Sequence, residues 1–370
     1  GIFFVMSFSV NAQSMFEDAM KAMKKKDYST AMKLAKEALD KDSTNTALKI
    51  LIQLREKDYK SDKRLFEYFG DTYSKMNVAE LALSNYADAE RFDSLDVSLK
   101  FKIADLLYKG QSYKEAVNKY LEIVHLAPKN SQALLKAGTI LFLAKSYANA
   151  GVVLEQYLAL EQTQDAYRKI TKSFLETKNY EKAYQYALEG LAKYPDDSSL
   201  KKTAAISSFG LQKFEEAGKY YSAIPDSLLT VSDLKNAGRA YQQIKADSTA
   251  IKFFEKVIQK DSTQSALFMD MANNYFRNKN NELAIKYYMA KIQIDPNYEL
   301  AYRYMGFAYF DMKNLDGARQ ALLKAKELVD TTFVTNYYLA QIYTQMDSAN
   351  QAADQYVTIL KLTEGKENRY

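Results

Sequence analysis

Residues Ala284 to Asn297 read AIKYYMAKIQIDPN. The segment opens on an alanine, carries an aromatic, Tyr288, one helical turn later, and ends just past Pro296, twelve residues after the alanine. The same alanine recurs along the chain as Ala31, Ala82, Ala116, Ala150, Ala183, Ala217, Ala250, Ala284, Ala318 and Ala352. Successive gaps are 51, 34, 34, 33, 34, 33, 34, 34 and 34 residues, the first being one and a half periods. Twelve residues before each alanine stands a small residue, from Ala19, Gly70, Ala104 and Gly138 to Gly306 and Ala340. Four residues after it an aromatic is frequent: Tyr86, Tyr120, Tyr221, Phe254, Tyr288 and Tyr356. A strict repeat of this length, with apolar residues at i, i+3, i+4 and i+7, predicts antiparallel helix pairs stacked in series.

Packing explains the residue types. The small residue on the first helix and the alanine on the second mark the close approach of two backbones, where a larger side chain costs about 1–3 kcal/mol by overpacking. The aromatics fill the wider spaces beside it. Pro128, Pro195 and Pro296 each fall twelve residues after a repeat alanine, just past a second helix, where proline stops a helix without breaking one. Pro225 follows Ala217 by only eight residues, so that second helix should be short. The segments KDSTN (Lys41–Asn45) and YPDDSS (Tyr194–Ser199) read as caps for the next helix.

Small residue, alanine and proline at positions 8, 20 and 32 of a 34-residue unit resemble the tetratricopeptide-repeat family, and Ala284–Asn297 is close to that family's pattern. The resemblance covers roughly residues 13 to 366, in ten repeats beginning near 12, 63, 97, 131, 164, 198, 231, 265, 299 and 333. Residues 46–62 are an extra half-unit. No repeat has Trp at position 4, and position 27 is Tyr157, Lys291 or Ile359 in places. The fold class expected is all-α, a right-handed superhelical solenoid of antiparallel helix pairs, with a polar tail at 367–370.

Composition narrows the function. Apolar residues make up 47% and charged residues 26%, as in a folded soluble protein, and the net charge of +5 is too small to suggest nucleic acid as a partner. There is no Cys and one His, His125, so disulfides, thiolate nucleophiles and two-His metal sets within one chain are excluded. His125 lies near the end of a second helix, with no motif to fix a catalytic partner. The stretch GLQKFEEAGK (Gly210–Lys219) has the wrong spacing for a phosphate loop, and the acidic turns lack the calcium-loop spacing. No catalytic constellation, cofactor site or metal site is expected. The run IFFVMSFSV (Ile2–Val10), followed by Asn11 and Ala12, reads as the end of a secretory signal peptide, residues 1–12, and as too short to span a bilayer. Export to the periplasm or cell envelope of a Gram-negative-type bacterium is the expectation that follows. The alternative for the run is a buried first helix.

What the resemblance implies is binding. In the family, positions 2, 5, 9 and 12 of the first helices face a groove. Carried onto this sequence, positions 5 and 9 of repeats five to nine hold Arg168, Lys172, Lys202, Lys235, Arg239 and Arg303. In the same register lie Phe209, Gln242, Asn273, Phe276, Phe307, Phe310, Tyr337 and Gln341. Basic heads beside aromatic faces suit an extended protein or peptide segment, an acidic one above all, held by charge-assisted bonds and ring contacts. The Lys/Asn carboxylate clamp of chaperone-binding relatives does not recur. Most of the 30 Tyr residues fall at packing positions, among them Tyr73, Tyr241, Tyr275, Tyr309 and Tyr343 at position 11. The reading that results is a non-enzymatic scaffold or adaptor, with an envelope glycan-binding assembly factor as its alternative. At the C-terminal edge Tyr356, Ile359 and Leu360 are expected to be partly uncovered and open to a partner or a second copy.

Overall fold

The computed structural model describes residues 2–57, 62–261, 264, 266–329 and 332–363, with the side chains of 2–10 left aside. The half-unit loop around 58–61, the repeat start at 265 and the tail at 367–370 lie outside the described residues. The chain divides into two compact units, 1–178 and 179–370.

The first unit holds α1 (Ile2–Lys24), α2 (Tyr28–Asp40), α3 (Thr44–Glu56), α4 (Lys63–Lys75), α5 (Ala79–Phe92), α6 (Val97–Lys109), α7 (Tyr113–Leu126), α8 (Ser131–Leu143), α9 (Tyr147–Leu158) and α10 (Gln164–Glu176). The second holds α11 (Tyr180–Lys193), α12 (Ser198–Gly210), α13 (Phe214–Ser222), α14 (Val231–Gln243), α15 (Asp247–Lys260), α16 (Leu267–Arg277), α17 (Asn281–Ile294), α18 (Glu299–Asp311), α19 (Leu315–Leu328), α20 (Phe333–Gln345) and α21 (Ala349–Thr363). All described elements are helical. Sequential helices pack against each other within each unit, so each is a tetratricopeptide-type solenoid of helix pairs. Helix α3 is the extra element and packs on both α1 and α2. Helix α1 runs unbroken from Ile2, and no helix among the described residues is long and apolar enough to cross a membrane.

The pairs are built as the periodicity requires. Every repeat alanine from Ala31 to Ala318 is fully buried, and Ala352 nearly so. What the small residue at position 8 admits is chiefly the side chain at position 24. A Cβ added at Gly70 would overlap the Tyr86 ring, and one at Gly238 the Phe254 ring. Helix α13 is nine residues long and is followed by Pro225 and a 3-10 turn at Asp226–Leu228.

The turn inside each pair is also periodic. Lys26, Asn77, Gln111, Lys145, Gln212, Lys245, Lys279, Lys313 and Asp347 all have φ between 51° and 63°. The next residue's N–H reaches back five positions, as Ser146 to the Leu141 carbonyl (2.9 Å) and Asn314 to the Tyr309 carbonyl (2.9 Å). This left-handed ending satisfies carbonyls that the first helix leaves unpaired. Asp197 caps α12 through the N–H groups of Ser199 (2.9 Å) and Leu200 (3.1 Å). Ser43 stands at the start of α3 but makes no side-chain cap bond.

Candidate functional site

The register residues do not form one unpaired basic stripe, because most of their charge is used within the chain. In the first unit, Arg168 is exposed on α10 and Lys172 pairs with Glu176 at 2.5 Å, one turn further on. In the second unit, Lys202 reaches from α12 to Asp233 at 2.5 Å. Asp233 is buried and also accepts from the Thr230 backbone N–H (2.8 Å), closing the capping box of α14. Lys202 is therefore a structural residue. Lys235 donates to Gln264 Oε1 (3.2 Å), and Arg303 to Glu299 (2.6 Å) on its own helix. Of these four second-unit cations, Arg239 alone makes neither a hydrogen bond nor an ion pair with a described residue, and it is exposed.

The repeat itself explains why. In three repeats position 9 serves the side chain fifteen residues later, at position 24 of the second helix. Asp71 accepts from the Tyr86 hydroxyl (2.8 Å), Asp105 from Tyr120, and Asn273 from Tyr288 (2.8 Å). In the repeat that begins at Val231, position 24 is Phe254, which has no hydroxyl to place. Arg239 at position 9 is released from that duty. In the repeat that begins at Ser198, position 9 is Ile206, and the buried Tyr221 hydroxyl has no hydrogen-bond partner.

The aromatic members of the register divide in a similar way. Phe307 is buried, with its ring 4.4 Å from Tyr338 and 5.7 Å from Tyr304, so it belongs to the core and does not line a groove. Phe276 and Phe310 are half-buried against the same cluster. Tyr337 is exposed. It stacks on exposed Phe333 (6.2 Å, 9° between planes) and accepts a hydrogen bond from Gln341 (2.6 Å).

Arg239 opens onto a cavity of about 610 Å³. Phe209 and Phe214, edge to face at 5.6 Å, form one wall, and the Tyr180 ring lies against Gly210 beside them. Gln212, Gln242 and Gln243 contribute amides, and Asp270 of α16 contributes a carboxylate. Burial pushes the Asp270 carboxyl above its ordinary range, although Arg239, Arg277 and Lys235 all pull it down. The site thus offers ring faces, amides that can bond a peptide backbone, one free cation and one anion.

Sequence reasoning missed Asp270, which lies at position 6, outside the groove register. It also missed a charged lattice in the first unit. Lys102 donates to Glu67 (2.6 Å) and Asp71 (2.9 Å), and Lys136 pairs with Asp105 at 2.5 Å. Burial lowers Lys102, but the bonds to Asp71 and Glu67 outweigh it and hold its pKa up. Burial, and then the Asp71 charge, push the Tyr86 hydroxyl up. A smaller cavity of about 280 Å³, mostly apolar, lies beside Tyr108, Tyr120, Leu135 and Lys136. The matched spacing of Tyr and Asp, fifteen residues apart, was the signal for these pairs. Exposed His125 lines neither of these cavities, and no group of three or more metal-ligating side chains occurs among the described residues.

No protein-family model and no curated protein sequence matches the chain. Among solved structures, it is similar to YrrB, a TPR protein with an unusual peptide-binding site, at 16% identity and a TM-score of 0.41, over 48% of this chain and 92% of that one. It is similar to MamA at 19% identity and a TM-score of 0.41, over 45% of this chain and 97% of that one. A third similarity, to the Naa15/Naa10 complex bound to HypK-THB, spans 93% of this chain and 68% of that one, at 13% identity and a TM-score of 0.39.

Proposed function

We propose that this protein is a non-enzymatic adaptor that binds an extended peptide segment of a partner protein in the cavity around Arg239. The observation that carries this reading is the unpaired, exposed Arg239 among amides and aromatic rings. An acidic side chain would bond the guanidinium in a bidentate manner, the glutamines would bond the peptide backbone, and Phe209 and Phe214 would cover an apolar side chain. Selection of displayed random peptides on the purified chain tests the reading. Peptides enriched in Asp and Glu that fail to bind the Arg239→Glu variant support it. Equal enrichment on both proteins contradicts it.

Two further parts of the reading concern setting and assembly. Export to the periplasm or cell envelope is supported by the apolar run Ile2–Val10 followed by Asn11 and Ala12. An uncleaved chain found only in the cytoplasm of its host would contradict export. Self-association through α21 is supported by exposed Tyr356, Val357 and Leu360. A monomer by light scattering at high concentration would contradict it.

A second reading, binding of an envelope glycan, is favoured by one feature. Phe333 and Tyr337 form an exposed stacked pair with Gln341 beside it, a platform of the type on which sugar rings pack. Oligosaccharide binding lost in Tyr337→Ala but kept in Arg239→Glu would establish it over the peptide reading.

A further inference from the structure

The cavity around Arg239 holds two opposite charges that do not form an ion pair with each other. Arg239 and Asp270 line the same walls, yet no described group lies within 4.0 Å of either as an ion-pair partner. The other cations near Asp270 are committed elsewhere. Arg277 is bidentate on Asp247 (2.9 and 3.1 Å), and Lys235 bonds Gln264. Asp270 also makes no hydrogen bond to a described residue, although it is half-buried. A carboxylate taken partly out of water without a donor is costly, so it favours any ligand that brings one. A purely acidic segment would satisfy Arg239 and leave Asp270 facing more negative charge.

We infer that the cavity is specific for a dipolar peptide segment, one that sets a carboxylate against Arg239 and a Lys or Arg side chain against Asp270. This inference rests on the peptide-binding reading and refines its ligand class. Asp270 is a specificity residue, attracting the basic side chain and repelling ligands that carry acid alone. Arg239 supplies the matching attraction for the acid. The two charges fix the direction of the peptide as well as its composition, because exchanging the ends places like charges together.

The test uses the full chain and three twelve-residue peptides on one aromatic-containing scaffold: acid-only, base-only and alternating acid–base. Fluorescence anisotropy gives the affinities for wild type, Asp270→Asn and Arg239→Gln. Wild type should prefer the alternating peptide over the acid-only peptide by about tenfold or more, equivalent to about 1.4 kcal/mol. Asp270→Asn should bring that ratio close to one while acid-only binding is kept or improved. Arg239→Gln should weaken the alternating peptide and spare the base-only peptide. A wild-type preference for acid-only peptide, or an unchanged ratio in Asp270→Asn, overturns the dipolar assignment and leaves acidic-peptide binding standing. Failure of all three peptides to bind overturns both. Thermal melts of the two variants confirm that each result is read on folded protein.

Discussion

Tyr288 donates its hydroxyl to Asn273 across 2.8 Å, fifteen residues back in the sequence, and the same step joins Tyr86 to Asp71. It links the second helix of a pair to the groove register of the first. The side chain at position 24 thereby decides what position 9 can do. Tyrosine calls for an acceptor there, and phenylalanine leaves the position open for Arg239.

The pairing can be tested on stability. Tyr86→Phe and Tyr288→Phe should each destabilise the protein by about 0.5–1.5 kcal/mol, the net worth of a hydrogen bond. Tyr221→Phe should be neutral or stabilising, because the Tyr221 hydroxyl is buried with no partner; Asn236 lies nearby without hydrogen-bond geometry. Urea melts of the three variants check this. A Tyr221→Phe loss equal to the other two would contradict the pairing rule.

Lys202 and Arg239 should behave oppositely although sequence places them in one register. Lys202→Met leaves the buried Asp233 carboxylate without its cation and should cost about 1–3 kcal/mol. Arg239→Met should leave the melting temperature within error and abolish peptide binding. Calorimetry of both variants separates the structural residue from the binding one.

Asp270 carries a pH signature. Its carboxyl titrates above the ordinary 3.8 because burial disfavours the charge. Stability linked to the protonated form is complete below that ordinary value and is lost as the pH rises through the folded-state value. Asp270→Asn should therefore stabilise the unliganded protein at neutral pH, and the advantage should shrink as the pH falls toward 3.8. Melts across the acid range give the answer.

The left-handed turns offer an independent check of the fold. Lys313 has φ 61°, and its side chain makes no hydrogen bond or ion pair with a described residue. Lys313→Gly should stabilise the protein by about 0.5–1 kcal/mol, since glycine takes that conformation without steric cost and loses some of the gain to chain entropy. Lys252→Gly within α15 should instead cost about 1 kcal/mol.

The architecture was legible because packing imposes it residue by residue. The alanines and small residues could not vary without separating helices, so their spacing showed in one sequence, and Pro225 marked the short α13. The left-handed turn residues gave no such sign, because Lys, Gln, Asn and Asp occupy positions where glycine would have signalled the conformation. The candidate site was legible only in part. Register put Arg239, Phe209 and Gln242 at the cavity, but it could not show that Lys202 and Arg303 bond carboxylates or that Phe307 is core. Those outcomes depend on neighbours from other helices. Asp270 was missed because its position lies outside the register and acts only through that tertiary arrangement.

Site-specific photocrosslinking gives the most direct test of the binding claim. A photoreactive amino acid replaces Gln242 at the cavity, or Leu95, which is exposed in the first unit, and a selected peptide is added to each protein. The account predicts labelling from position 242 that Arg239→Glu abolishes, and none from position 95. Labelling from position 95 alone, or labelling at 242 that is indifferent to Arg239, would contradict it.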